Sequence, residues 1–450
     1  MTLEISAVNA AQVKADSAKH VMVSWSAQKA ANTNPLVVTE ARGSWFWDSD
    51  GKRYLDFSSQ LINSNLGHQH PKVVAAIKEQ AEKLCYIGPN FQNEARATLA
   101  RMLAERTPGD LVKTLFTNGG AEANENAIKM ARAFTGRQKI ITRYRSYHGS
   151  TAGAMTLSGD NRRWANEPGI GGVVRVHDSD PYHCRFAGCG DTCTMQCAYD
   201  IEDVLHFEGP ESVAAILIEV VTGTNGIFVP PPEYIPYLRQ LCDKYGILLI
   251  FDEVMTGFGR TGKWFAADHY GVTPDIMVFA KGVNSGYVPL GGAIVNQKLS
   301  DYFDDHVLWG GLTYSGHPLA CASGIATLEA YDEENVVENS ARLGRKLLAE
   351  LTALKNHHPA IGDVRGLGLF CGIELVKDRQ NRVGLPAWNG KDQGLTGKIK
   401  NALMERGVFV FCRYNMLFIA PPLTITEDEM MFGVRAVDEV LNIADEAARA

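Results

Sequence analysis

No apolar run in these 450 residues approaches the ~20 residues that span a bilayer, so no transmembrane helix and no membrane partner are expected. The N-terminus, MTLEISAVNAAQVKADSAKH, has neither the basic start nor the apolar core of a secretory signal, and a cytoplasmic location is the expectation. Positive charge is also short. The 44 Lys and Arg against 51 Asp and Glu give a net charge of -7, which leaves no electrostatic case for nucleic acid. No repeat and no low-complexity tract interrupts the chain. Paired CxxC spacings are missing as well. Of nine cysteines, Cys184, Cys189, Cys193 and Cys197 crowd beside His183 in a Gly-rich stretch. Without paired spacing, reduced loop thiols are favoured there over a structural zinc site, and no metal is expected.

What is present is ordinary for a globular protein: 45% hydrophobic and 21% charged residues. The length exceeds what one hydrophobic core normally organises, which predicts two domains or one large domain with a smaller one appended. Residues 1–35 read as a polar arm, and SWFWDSDGKRYLDFSS reads as a hairpin turning at Asp50-Gly51. From about residue 70, short β-branched runs alternate with helical periodicity: VKTLFTN, KIITRY, VAAILIEVV, ILLIFDEV, DIMVFA and LGGAIV. That alternation predicts an α/β fold, a mostly parallel sheet covered by helices on both faces. After about residue 325 the pattern predicts one long helix over 325–354, then strand-like LFCGIELV and VFVFCRYNMLFIAPPL. The expected division is 1–65 as arm and hairpin belonging to a small domain, 66–325 as the large domain, and 326–450 as the rest of a small α+β domain.

The segment 248-LLIFDEVMTGFGRTGKW-264 admits three readings. As a P-loop ATPase it fails, because the glycines follow the acidic strand and Trp264 stands where a Mg²⁺-binding hydroxyl is needed. As a dinucleotide site it fails, because five residues, two of them carboxylates, separate LLIF from Gly257 and place negative charge where a pyrophosphate must sit. The third reading takes Asp252 as a carboxylate at a strand's C-terminal end, where ligands sit in open α/β sheets, and the glycines as a flexible loop behind it. Such an Asp can hold a proton on a heterocyclic nitrogen. Lys281, just after the strand DIMVFA, is oddly placed for a solvated lysine. Partly desolvated, its amine becomes a nucleophile able to form a Schiff base. TLFTNGGAEANENAIK adds a Gly119-Gly120 turn opening a helix, whose free N–H groups and dipole favour a phosphate. An Asp, a Lys and a phosphate cradle are the groups that pyridoxal phosphate requires.

DEVMTGFGRTGKWFA, AKGV with YVPLGG, NGGAEANENAIK, SYHGST and GLTYSGHPLA together carry a family resemblance, from about residue 44 to 426. The chain resembles the class III pyridoxal-phosphate aminotransferases of fold type I. The resemblance implies that Lys281 bonds the cofactor aldehyde and shuttles the substrate proton, while Asp252 keeps the pyridine nitrogen protonated. It implies that Gly120 and Ala121 hold the phosphate through backbone N–H groups, and that Tyr147 and Val254 flank the ring. Glu219 lies near the ring, or is a structural ion pair. Thr313 reaches the neighbouring subunit's phosphate, which implies a homodimer with active sites at its interface; a tetramer stays open. Without the resemblance, Tyr147 reads equally as core packing and Thr313 as a turn hydroxyl.

Departures from the family pattern bear on substrate. Ala121 replaces a common Ser or Thr, and Met255 replaces a Gln of the ornithine and 4-aminobutyrate enzymes. Their paired Glu and Arg for glutamate's α-carboxylate are here Thr224 and Phe418, which argues against that subgroup. Arg413 resembles the mobile arginine of the ω-amine:pyruvate enzymes, or is a solvated hairpin arginine. Leu61 and Tyr86 are expected to line the pocket with Tyr147. The implied activity is ping-pong transfer of an amino group from a primary ω-amine or ω-amino acid, taurine or β-alanine for example, to pyruvate. The alternatives are an aminomutase of the same fold or a non-catalytic cofactor-binding subunit.

Overall fold

The computed structural model describes residues 8–186, 193–390 and 394–449. Seven strands form the central sheet: β1 (Leu111–Thr117), β2 (Lys139–Arg143), β3 (Val173–Val176), β4 (Val213–Ile218), β5 (Leu248–Asp252), β6 (Ile276–Phe279) and β7 (Gly291–Asn296). Their order is β1-β7-β6-β5-β4-β2-β3. The pairs β2/β3, β2/β4, β4/β5 and β5/β6 are parallel, and β7 runs antiparallel to both β1 and β6. The apolar runs are continuous because both faces are covered. Along β5, Leu249 and Phe251 enter one core while Leu248 and Ile250 enter the other, the alternation a strand imposes.

Because β7 reverses twice, β1 points the same way as the parallel strands. The C-terminal ends of β1, β2, β4, β5 and β6 therefore open on one edge of the sheet, and the segments expected to carry chemistry begin there.

Two further sheets flank this one. The hairpin at Gly51 forms, with Trp45–Asp48 antiparallel to Arg53–Asp56 and Val38–Arg42 added outside. Val408–Phe409 then pairs in parallel with Leu55 and Asp56, joining the two ends of the chain. Ile361–Leu367, Phe370–Asp378, Met416–Ile419 and Phe411–Arg413 form the third sheet, with Val383–Gly384 pairing beside it.

Three local expectations need correction. The polar arm contains a helix, Ala10–His20, capped by Asn9 and with no buried residue. The helix over 325–354 is two helices, Pro318–Glu333 and Val336–Leu354, broken where Asn335 adopts φ +51. Asn visits the left-handed region more readily than most residues, because its short amide bonds locally. The glycine loop after β5 is packed, not loose. Gly259 and Gly262 turn with φ +87 and +85, and a Cβ on Gly262 would lie 3.0 Å from Ala341 Cα. Arg260 between them is fully buried and donates to Leu369 O (2.9 Å), Pro421 O (2.6 Å), Ser59 Oγ (3.1 Å) and Asn65 Oδ1 (2.7 Å). Among the described residues, no helix is long and apolar enough to cross a membrane.

Candidate active site

Asp252 ends β5 with 3% of its surface exposed. Its Oδ2 accepts from His148 Nδ1 at 2.7 Å and Asn124 Nδ2 at 2.8 Å, while Oδ1, among the described residues, takes only the Val254 N–H at 3.1 Å. A carboxylate can only accept, so the His148 proton sits on Nδ1. Asp252 is thus held from behind with one oxygen largely spare. His148 and Asn124 were not identified from the sequence. The available signals were His148's place beside Tyr147 in SYHG and Asn124's place one turn beyond Gly120, on the same helix face.

Lys281 begins a short 3-10 turn immediately beyond β6 and adopts φ +48, a left-handed conformation uncommon for a side-chain-bearing residue. The register Asp252↔Val278 places it close to Asp252. The residue is half-buried, and its amine makes no hydrogen bond or ion pair among the described residues. Burial pulls the amine down to about 8, opposed by the Asp252 and Glu219 carboxylates and assisted by the Arg162 and Arg260 charges.

At the end of β1, Gly119 caps the Gly120–Thr135 helix, whose first-turn N–H groups have no intrahelical partner. Two glycines permit close approach here. A Cβ on Gly120 would lie 2.8 Å from Val254 Cγ2, and one on Gly149, at φ +140, would lie 2.4 Å from the Ala121 Cβ. Gly120, Ala121, Tyr147 and Val254 therefore converge. The Tyr147 N–H donates to Glu219 Oε1 at 2.8 Å, and the Gly223 N–H also donates to Glu219. No cation pairs with Glu219 among the described residues, so the ion-pair alternative falls. Burial pushes its carboxyl above the ordinary range, against the pull of His148 and with the push of Asp252.

Arg413 is not a solvated hairpin arginine. Its side chain is 14% exposed, with Nη1 within 3.3 Å of Asp160 Oδ2, Thr224 O and Asn225 Oδ1, and Nη2 at 3.2 Å from Asn161 Oδ1. Arg162, another residue the sequence reading missed, binds the same Asp160 and lays its guanidinium over the Tyr147 ring at 3.6 Å. Its Nη2 also reaches Thr224 Oγ1 at 3.2 Å. Met255 lies against Gly223, where a Cβ would meet its Sδ at 2.3 Å, and Phe418 is fully buried in the third sheet.

Other expected residues stand apart. Tyr86 donates from its hydroxyl to Thr313 O at 3.0 Å, and both residues are exposed. Leu61 is 42% exposed in a non-helical turn whose Ser58 and Ser59 donate to Phe418 O and Ala420 O. Cys184 and Cys193 are half-buried and Cys197 is buried, while Cys189 lies outside the described residues. Among the described residues, no group of three or more His, Cys, Asp or Glu could hold a metal ion.

Pyridoxal phosphate fits this donor set. A buried carboxylate with a spare oxygen suits a protonated ring nitrogen, an unpaired amine suits the aldehyde, and a free helix start suits the phosphate. The space beside Gly119, where an added Cβ would meet nothing within 4 Å, leaves room at that helix start.

Comparison with known proteins agrees. The family model described as aminotransferase class-III matches residues 26–441. The taurine–pyruvate aminotransferase of Bilophila wadsworthia is 35% identical over 428 residues, covering 90% of this chain and 92% of the relative. The crystal structure of taurine:2-oxoglutarate aminotransferase from Bifidobacterium kashiwanohense, in complex with PLP and glutamate, superposes with a TM-score of 0.94 at 43% identity, covering 98% of this chain and 99% of that one. An (S)-enantioselective ω-transaminase from Thermomicrobium roseum superposes with a TM-score of 0.92 at 37% identity, covering 98% and 100% of the two chains. The chain belongs to the class-III aminotransferases and is a pyridoxal-phosphate-dependent aminotransferase of fold type I.

Proposed function

We propose that this enzyme takes the amino group of a primary ω-amine bearing an acidic tail, such as taurine or β-alanine, and passes it to pyruvate. The observation that carries this reading is the Arg162–Asp160–Arg413 cluster beside Tyr147, which offers a positive end to a substrate whose amine lies at Lys281. Bound pyridoxal phosphate supplies an aldehyde for the amine nitrogen and a ring that accepts the electron pair left when the donor carbon loses its proton.

The chain's own residues do the rest. The Lys281 Nζ would hold the cofactor aldehyde and, when free of it, would carry the proton from the donor carbon. Asp252, with His148 and Asn124 behind it, holds a proton on the ring nitrogen. The Gly120 and Ala121 N–H groups would hold the phosphate, and Tyr147 and Val254 would flank the ring. Glu219 orders the Tyr147 backbone. Leu61 and Tyr86, exposed and apart from this cluster in the single chain, would line the pocket only once a second copy is in place, and Thr313 of that copy would complete the phosphate grip in a homodimer. The large domain over 66–325 carries the cofactor, and the small domain built from 1–65 and 326–450 brings Arg413.

A second reading replaces pyruvate with 2-oxoglutarate. Arg162 favours it by adding a cation for a second carboxylate where Thr224 and Phe418 lack the Glu and Arg pair. The test is the visible absorbance of the purified holoenzyme. Taurine or β-alanine should bleach the cofactor band, and pyruvate should restore it. Recovery with 2-oxoglutarate alone selects the second acceptor, and turnover without any keto acid indicates an aminomutase. If no band is present, or if Lys281→Ala still turns over, the assignment is wrong.

A further inference from the structure

Asp160 is 2% exposed and caps the 3-10 turn Asn161–Asn166. Its Oδ1 accepts from the Arg162 N–H at 2.9 Å and Nε at 3.1 Å. Its Oδ2 accepts from Arg162 Nε (2.9 Å) and Nη2, from Arg413 Nη1 (3.2 Å) and from Asn225 Nδ2 (3.1 Å). One carboxylate thus ties together a guanidinium from the 3-10 turn Asn161–Asn166 and one from the end of the third-sheet strand Phe411–Arg413.

The donors can be counted. Arg413 spends Nη1 on three acceptors and Nη2 on Asn161, and its Nε makes no hydrogen bond among the described residues. Trp388 and Tyr414 lie against its guanidinium at 5.6 and 4.9 Å. Arg162 spends Nε and Nη2 on Asp160 and Thr224, while its Nη1 makes no hydrogen bond among the described residues. The Arg162 plane rests on the Tyr147 ring, and its charge bears on the Lys281 amine, so a guanidinium with an unspent Nη1 lies among the residues that would meet the substrate. Two cations and one anion leave one net positive charge, the complement of one acidic group.

We propose that Asp160 is a positioning residue that presets Arg162 as a fixed handle for the sulfonate or carboxylate tail of the substrate, with Arg413 as backing and not as a swinging arm. The inference rests on the acid-tail reading above. A forked, charge-assisted contact holds the guanidinium plane, so little side-chain freedom is lost when the tail binds.

The test uses the holoenzyme and propane-1-sulfonate, which carries the tail and no amine, with binding read by calorimetry. Asp160→Asn keeps the shape and the helix cap but loses the charged fork. It should weaken binding by about tenfold or more. Arg162→Gln should be as weak, and Asp160→Asn should add nothing in that background. In turnover, KM for taurine should rise more than kcat falls, and selectivity for taurine over propylamine should drop by a similar factor. Unchanged binding in Asp160→Asn, or an equal further loss in the Arg162→Gln background, refutes the role of Asp160 alone. A wild-type enzyme that does not bind propane-1-sulfonate refutes the acid-tail reading itself. Should Asp160→Asn not fold, Arg162→Lys decides: it keeps the charge and loses the fork, so wild-type affinity overturns the proposal and weakened affinity supports it.

Discussion

Arg260→Met would fill much of the arginine's stem and carry none of its donors. Three buried acceptors, Leu369 O, Pro421 O and Asn65 Oδ1, would lose their partner, whereas Ser59 Oγ keeps its bond to Ala420 O. Each stranded acceptor costs about 1–3 kcal/mol. Part of that is offset, because no carboxylate pairs with this guanidinium among the described residues and burial pulls it down to about 10, a sign that the charge itself is unfavourably placed. The expected net loss is about 3–5 kcal/mol, three stranded acceptors less that offset. The consequence reaches the active site. Asn65 also donates to Phe258 O, and a Cβ on Gly282, next to Lys281, would lie 2.6 Å from its Nδ2. Urea midpoints measured without cofactor should show the full loss, and cofactor retention on dialysis should fall with it. A loss below about 1 kcal/mol, typical of a surface change, would refute the view that Arg260 pins the loop to both chain ends.

Cofactor uptake by the apoenzyme should quicken as pH rises through about 8 and then level, because only the neutral Lys281 amine attacks and its proton leaves near that value. A midpoint near the ordinary lysine value, about 10.4, would contradict the burial argument. His148→Ala removes the 2.7 Å bond behind Asp252 and should weaken cofactor binding by about tenfold, read by fluorescence titration, since charged hydrogen bonds contribute about 1.5–3 kcal/mol. Gly149→Ala should lower the melting temperature even without cofactor, because its Cβ would overlap the Ala121 Cβ. Gly119→Ala meets nothing in the protein and should melt normally while binding cofactor more weakly.

The order of strands and helices was legible in the chain because it is written in local periodicity, and a parallel sheet then places strand ends together. That is why Asp252, Lys281 and Gly120 could be picked out one at a time from positions at strand termini. The glycine loop was misread because glycine marks looseness and tight packing with the same letter, and only the burial of Arg260 distinguishes them. Asn335 likewise carries no mark that separates a mid-helix asparagine from a helix break. Asp160 and Arg162 had no local pattern at all, and Arg413, though singled out between its two strand-like runs, gave no sign of which residues it would meet. They meet because the third sheet carries Arg413 onto a loop far away in sequence, and a contact between distant segments exists only once the chain has folded.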